Sequence, residues 1–173
     1  MAPKTLATYG SWKSPITTEL IVSDGIGFTG LTVDGEDVYW MEMRPSEGRR
    51  NVIVRRSADG EIVDITPPGY NARNTVHEYG GGVMMVNQGT VLFSNFDDQK
   101  LYIQRPGESP RPLSSGSDMR FADGEIDPDR GILFCIREDH SGNGEAVNTL
   151  VKVDMENLFY FQVRDLEHGL LDD

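Results

Sequence analysis

The sequence is poor in cysteine, in basic residues and in long apolar runs, and each shortage removes a class of protein. Among 173 residues there is one cysteine, Cys135, so no internal disulfide can form and nothing calls for an oxidising compartment. Cys135 stands in the run Ile132-Leu133-Phe134-Cys135-Ile136 with no adjacent Lys, Arg or His to lower its pKa. It reads as a small core residue, not as a reactive thiol. Lys and Arg total 16 against 28 Asp and Glu, for a net charge of −12. A chain this acidic is not expected to bind a nucleic-acid backbone, which needs clustered bases. No window is long and apolar enough to cross a bilayer, and no signal-like stretch follows Met1-Ala2-Pro3-Lys4-Thr5. The expectation is a soluble, cytoplasmic chain with neither nucleic acid nor membrane as partner.

Metal and cofactor signatures are missing too. His77, His140 and His168 show no ligand spacing with one another or with Cys135. Asp123, Glu125, Asp127 and Asp129 form an acidic comb, but Gly131 is misplaced for a calcium loop and no ligand Glu follows. Gly25-Ile26-Gly27 lacks the third glycine and the helix of a dinucleotide site. No metal and no cofactor are expected.

What is plentiful is turn chemistry, with 19 Gly and 9 Pro, and a repeat. Three turn segments, Val33-Asp34-Gly35-Glu36-Asp37, Val86-Asn87-Gln88-Gly89 and Ile126-Asp127-Pro128-Asp129-Arg130-Gly131, each lead into a β-rich run. Those runs begin at Val38, Thr90 and Ile132. Aligning Val38, Val91 and Ile132 puts Trp40, Phe93 and Phe134 at one position, predicted to be buried in every unit. A second alternating run follows in each unit: residues 51–56, 100–105 and 148–153. Asp59-Gly60 and Pro106-Gly107 then mark tight turns before short outer strands, where Pro112 is tolerable only at a sheet edge. Each unit reads as about four antiparallel strands in roughly 40 to 50 residues, the size of a propeller blade. The predicted fold class is all-β, a partial β-propeller of about three four-stranded antiparallel blades, with a β-sandwich as the structural alternative. The organisation expected is an N-terminal segment over 1–27, three blades over 28–154 and a divergent tail over 155–173.

The segment Thr75-Val76-His77-Glu78-Tyr79-Gly80-Gly81-Gly82 resembles the N-terminal propeller of the prolyl oligopeptidase family, in its branch of acylaminoacyl peptidases and dipeptidyl aminopeptidases. Tyr9-Gly10-Ser11-Trp12, Ser14-Pro15-Ile16-Thr17, Val38-Tyr39-Trp40, Asp64-Ile65-Thr66-Pro67, Phe93-Ser94-Asn95-Phe96 and residues 137–142 extend the likeness over about 7–154. His-Glu-Tyr-Gly-Gly-Gly is its most specific part. The resemblance implies further blades and an α/β-hydrolase domain with a Gly-x-Ser-x-Gly elbow. No such elbow occurs here, and the chain ends before such a domain, so a truncated, non-catalytic member is expected.

The resemblance also implies a propeller that limits access to a peptidase site and helps to bind the peptide. By that reading His77, Glu78, Tyr79 and Arg73 are the candidate substrate-binding residues, with Glu78 beside the channel and able to pair with a substrate amino group. A structural reading stands beside it: Glu78 pairs with Arg73, Tyr79 is core, and the glycines allow close strand approach. Asp139-His140-Ser141 contains three triad residue types, but adjacent strand residues point to opposite faces, so a loop hydrogen-bond cluster is expected. The alternative functions are an independent module that binds peptide or protein at an exposed strand edge, and a gene remnant without selected function. Open blade faces predict a homodimer with the tail near the interface; the alternatives are higher oligomers, or a tail that folds back so that Phe159, Tyr160, Phe161, Val163, Leu166, Leu170 and Leu171 cover one face.

Overall fold

The computed structural model describes residues 7–11, 13–18, 25–156 and, as backbone, 160–165. The alternating runs pair into three four-stranded antiparallel sheets. The first contains β1 (Gly27–Asp34), β2 (Asp37–Arg44), β3 (Arg50–Arg56) and β4 (Ile62–Asp64). The second contains β5 (Met84–Asn87), β6 (Thr90–Ser94), β7 (Leu101–Gln104) and β8 (Arg111–Pro112). The third contains β9 (Met119–Asp127), β10 (Ile132–Asp139), β11 (Val147–Asp154) and β12 (Tyr160–Asp165). Every strand neighbours the next in sequence, the meander of a propeller blade. The first strands β1, β5 and β9 stand side by side, as inner strands do around a propeller axis. The expected partial propeller of three four-stranded blades is therefore the fold.

The third blade runs past residue 154. Its outer strand is β12, which pairs Tyr160 with Val153 and Gln162 with Val151. The backbone of residues 160–165 thus belongs to a sheet. The apolar tail side chains expected to cover a blade face lie outside the described residues, as do Trp12 and His168.

Two apolar layers lie between the sheets. Tyr39, Met41 and Ile53 of the first sheet pack with Val91 and Phe93 of the second. Met85, Leu92, Leu101 and Ile103 of the second meet Phe121, Leu133, Cys135, Val151 and Val153 of the third. Phe93 is fully buried, stacked on Tyr102 at 5.7 Å and met edge-on by Tyr70 at 5.9 Å. Burying such a side chain contributes about 1.5–3 kcal/mol by area alone, before ring geometry adds to it.

The predicted register holds for two blades and slips in the third. The last pair before each β-turn is Asp34 with Asp37, Asn87 with Thr90, and Asp127 with Ile132. Counting from those pairs aligns Trp40, Phe93 and Cys135, so the third blade's equivalent of Phe93 is Cys135. Phe134 lies on the opposite face and is half-buried, as is Trp40. The turn at Pro128–Gly131 is longer than the other two, and with a side-chain period of two a one-residue slip reverses the face.

Polar groups repeat as faithfully as apolar ones. The hydroxyl of buried Thr66 accepts from the N–H of Ile53 at 2.9 Å, and that of Ser114 accepts from Leu101 at 2.9 Å. The preceding residues, Ile65 and Leu113, donate to the carbonyls of Ile53 and Leu101 at 2.7 Å. Each hydroxyl therefore continues the ladder where the outer strand ends and gives the N–H groups of Ile53 and Leu101 their acceptors. Between blades, Asp34 accepts from the N–H groups of Gln88 and Gly89 at 3.0 and 2.6 Å. Among the described residues no helix is long and apolar enough to cross a membrane.

Candidate functional site

The chain leaves the first sheet at Asp64 and enters the second at Met84. Between them, Asn74 shapes the loop that carries the candidate residues. Its buried Oδ1 accepts from the N–H groups of Val76 at 3.3 Å and Gly81 at 2.9 Å. Within that tight loop His77 and Glu78 have φ of 53° and 65°, two consecutive non-glycine residues in the left-handed region. Such positions cost about 1–3 kcal/mol each and persist only where the surroundings fix them.

Several bonds fix them here. The N–H of Glu78 donates to the Thr75 carbonyl at 3.1 Å and that of Gly80 to Val76 at 2.9 Å. The N–H of His77 donates to Oε1 of Glu138, on β10, at 3.0 Å. Arg120, on β9, donates to the Thr75 carbonyl at 2.9 Å. The glycines have distinct tasks. Gly80 takes φ of 90°, whereas a Cβ on Gly81 would stand 2.5 Å from Oδ2 of Asp123. Gly82 donates to Asp123 Oδ1 at 2.6 Å, and its carbonyl accepts from the Asp123 N–H at 2.9 Å. The run of glycines thus lets the loop lie directly against the third blade, as the close-approach reading expects.

The consequence is that the four candidate side chains point away from the core. Tyr79 is 91% exposed and is not a core residue. Glu78 is exposed and makes no ion pair with Arg73 among the described residues. The Arg73 guanidinium instead lies 4.8 Å from the centre of the Phe96 ring. The loop also divides the candidates between two clefts. His77 and Glu78 border one of about 430 Å³, with Arg120, Glu138, His140 and Glu145. Arg73 and Tyr79 border another, of about 570 Å³, with Arg49 and three methionines. All four were placed at one site by the resemblance; the structure puts them on two sides of one loop.

Glu138 is the organising group of the first cleft. It is 4% exposed and meets His140 Nε2 at 2.7 Å, Arg120 at 3.5 Å and His77 Nδ1 at 3.6 Å. Burial pushes its pKa up. The His140 hydrogen bond, the His77 N–H and the positive charge nearby outweigh that, holding the carboxyl below its ordinary range. The cleft can therefore keep a buried carboxylate ionised while presenting Glu78 and Glu145 to solvent. Glu138 was not singled out from sequence. The signal available was its place in the alternation Ile132, Phe134, Ile136, where a charged residue continues an apolar series.

The remaining candidates resolve as structure. Ser141 donates to Asp139 Oδ1 at 2.6 Å through its hydroxyl and at 2.9 Å through its N–H, while His140 turns to Glu138. No nucleophile–base–orienter chain exists in that segment. Burial raises the Cys135 thiol pKa to about 12. Asp123 belongs to the glycine loop, and Asp127 pairs with Arg130 at 3.4 Å. Among the described residues no three His, Cys, Asp or Glu side chains could hold a metal ion.

Solved structures share this architecture. Puromycin hydrolase superposes with a TM-score of 0.84 at 31% identity over 96% of this chain, which spans 28% of that protein. A puromycin-hydrolyzing peptidase of Mycobacterium tuberculosis gives 0.78 at 28% identity over 88% of this chain and 25% of its own. One chain of a nidogen/laminin complex, at 18% identity and a TM-score of 0.55, shares the fold alone. No protein-family model and no curated protein sequence matches the chain. The matched peptidases are thus more than three times as long as the stretch they share with this chain, and no hydrolase domain is present among the described residues.

Proposed function

Taking as premise that the chain belongs with the propeller of the prolyl oligopeptidase family, we propose that it is a non-catalytic, peptide-binding part of such a propeller. It binds and screens peptides and performs no hydrolysis itself. One observation supports this reading above the others: the loop holds Glu78 in a strained left-handed conformation, exposed and unpaired among the described residues, at the rim of a cleft. The backbone of that loop is occupied in docking on the third blade, whereas the Glu78 carboxylate itself faces solvent, where a ligand can meet it. A peptide α-ammonium group would meet Glu78, and Glu145 borders the same cleft. Titration with Ala-Phe-amide, which has a free amine, should give binding that its N-acetyl form and the Glu78→Gln variant both weaken. Equal binding of both forms would remove the role given to Glu78. A fluorophosphonate probe should label no serine, and covalent labelling would overturn the non-catalytic reading.

A second reading, self-association, is favoured by the outer face of the first sheet. Phe28, Leu31, Val33 and Ile62 are exposed there. A second copy of the chain is the occupant proposed, and light scattering over a concentration series decides it. A monomer at every concentration would exclude the dimer.

A further inference from the structure

The larger cleft, between the first two blades, carries a charge pattern at odds with the rest of the molecule. In a chain of net charge −12, Arg49 and Arg73 both border it, and neither makes an ion pair among the described residues. By contrast Arg44, Arg50, Arg55, Arg105, Arg120 and Arg130 are each matched to a carboxylate. Arg56 and Arg111 also lack an ion pair among the described residues, but Arg49 and Arg73 border one and the same cavity, and no Asp or Glu lines it with them.

Their settings keep the charges available. Arg49 has φ of 65°, a left-handed position that a glycine would occupy without strain, and its N–H is held by the Arg44 carbonyl at 3.0 Å. Arg73 rests against Phe96, which attracts a guanidinium without neutralising it. Met41, Met43 and Met84 give the cleft an apolar, adaptable part beside the polar Thr29, Asn51 and Asn74, and exposed Tyr79 borders it. Thioether side chains repack around varied apolar groups, while a guanidinium fork fits a carboxylate through two parallel hydrogen bonds.

We infer that this cleft binds the C-terminal residue of a peptide, its carboxylate held by Arg49 and Arg73 and its apolar side chain set against the methionines. The volume of about 570 Å³ admits one or two residues. The inference is independent of the amine reading of Glu78, which concerns the cleft on the other side of the loop.

The test uses the whole chain and ligands with a blocked amine, so that Glu78 has nothing to recognise. N-acetyl-Ala-Phe with a free carboxylate and its C-terminal amide are titrated by calorimetry against the unaltered protein. The acid should bind at least roughly tenfold more tightly than the amide, the effect of a charge-assisted hydrogen bond. Arg49→Gln and Arg73→Gln should each weaken the acid by about that factor and leave the amide unchanged. Glu78→Gln should leave both unchanged. Equal binding of acid and amide, or no binding of the acid, overturns the inference without touching the amine reading. Undiminished binding by both arginine variants overturns it as well. The acid–amide comparison needs no variant, so a folding defect in either mutant leaves the test intact.

Discussion

The backbone N–H of His77 donates to the buried carboxylate of Glu138, 61 residues further along the chain, at 3.0 Å. This bond ties a strained loop that follows the first blade to the second strand of the third. His140 and Arg120 hold the same carboxylate from other sides, so the loop's shape depends on a charge supplied by a distant blade.

Replacing Glu138 by Gln keeps the shape and removes the charge. A buried hydrogen bond to an ionised group is worth about 1.5–3 kcal/mol, and an amide nitrogen turned toward the His77 N–H would add repulsion. Denaturant melts at pH 7 should show Glu138→Gln destabilised by roughly that amount. The sign with pH follows from the depressed pKa. The ionised form contributes stability above the unfolded-state value near 4.3, and that contribution is lost as pH falls through the folded value. The gap between wild type and variant should therefore narrow in acid from about pH 4.3 downward. A gap independent of pH would show that charge is not what Glu138 supplies.

The core makes a plainer demand. Phe93 touches Tyr70 and Tyr102 and has no exposed surface, so Phe93→Ala should cost about 3–5 kcal/mol in urea unfolding. Phe134→Ala, at a half-buried position, should cost clearly less. Similar losses for the two would restore the register in which Phe93 and Phe134 are equivalent.

That comparison also marks how far the sequence could be read. Blade number and strand order were legible because alternation and turn signals at Asp34-Gly35, Asp59-Gly60 and Gln88-Gly89 are local properties of the chain. The face of β10 was not. Ile132 to Ile136 is apolar at every position, and a continuous apolar run carries no phase. The loop at His77 was found through its glycines, but their purpose rests on Asp123, some 40 residues away, whose approach no local pattern encodes. Arg49 and Arg73 meet at one cleft only because two blades stack. Such long-range pairings need the packed sheets, since each residue taken alone reads as an ordinary surface arginine.

Cys135 gives a chemical check on the corrected register. It is buried between the second and third blades, and burial raises its thiol pKa to about 12. Little thiolate exists at pH 8, and a reagent cannot reach it. Iodoacetamide should leave the folded chain unmodified and alkylate it only in denaturant. Rapid labelling of the native protein would place Cys135 on the outer face and Phe134 in the core.

The last expectation separates the glycines that the loop needs from those it merely contains. A methyl group on Gly81 would lie 2.5 Å from Asp123 Oδ2 and 2.8 Å from the Ala122 Cβ, inside any real contact. The Ala122 neighbour belongs to a packed sheet and cannot swing away. Asp123 could rotate only by giving up its 2.6 Å bond from the Gly82 N–H. Gly81→Ala should therefore separate the loop from the third blade at a cost of about 1–3 kcal/mol, as overpacking does. Gly142, with nothing within 4 Å of a built Cβ and an ordinary φ, is the control. Gly142→Ala should be neutral, or stabilise by up to about 1 kcal/mol through the unfolded chain. Hydrogen exchange gives the finer readout. In Gly81→Ala the amides of His77 and Gly82 should lose protection, because their acceptors, Glu138 and Asp123, both lie on the third blade. Equal melting of the two variants would mean that the loop does not depend on close contact at Gly81. Retained protection at His77 in a destabilised Gly81→Ala would show that Glu138 holds its side of the loop unaided.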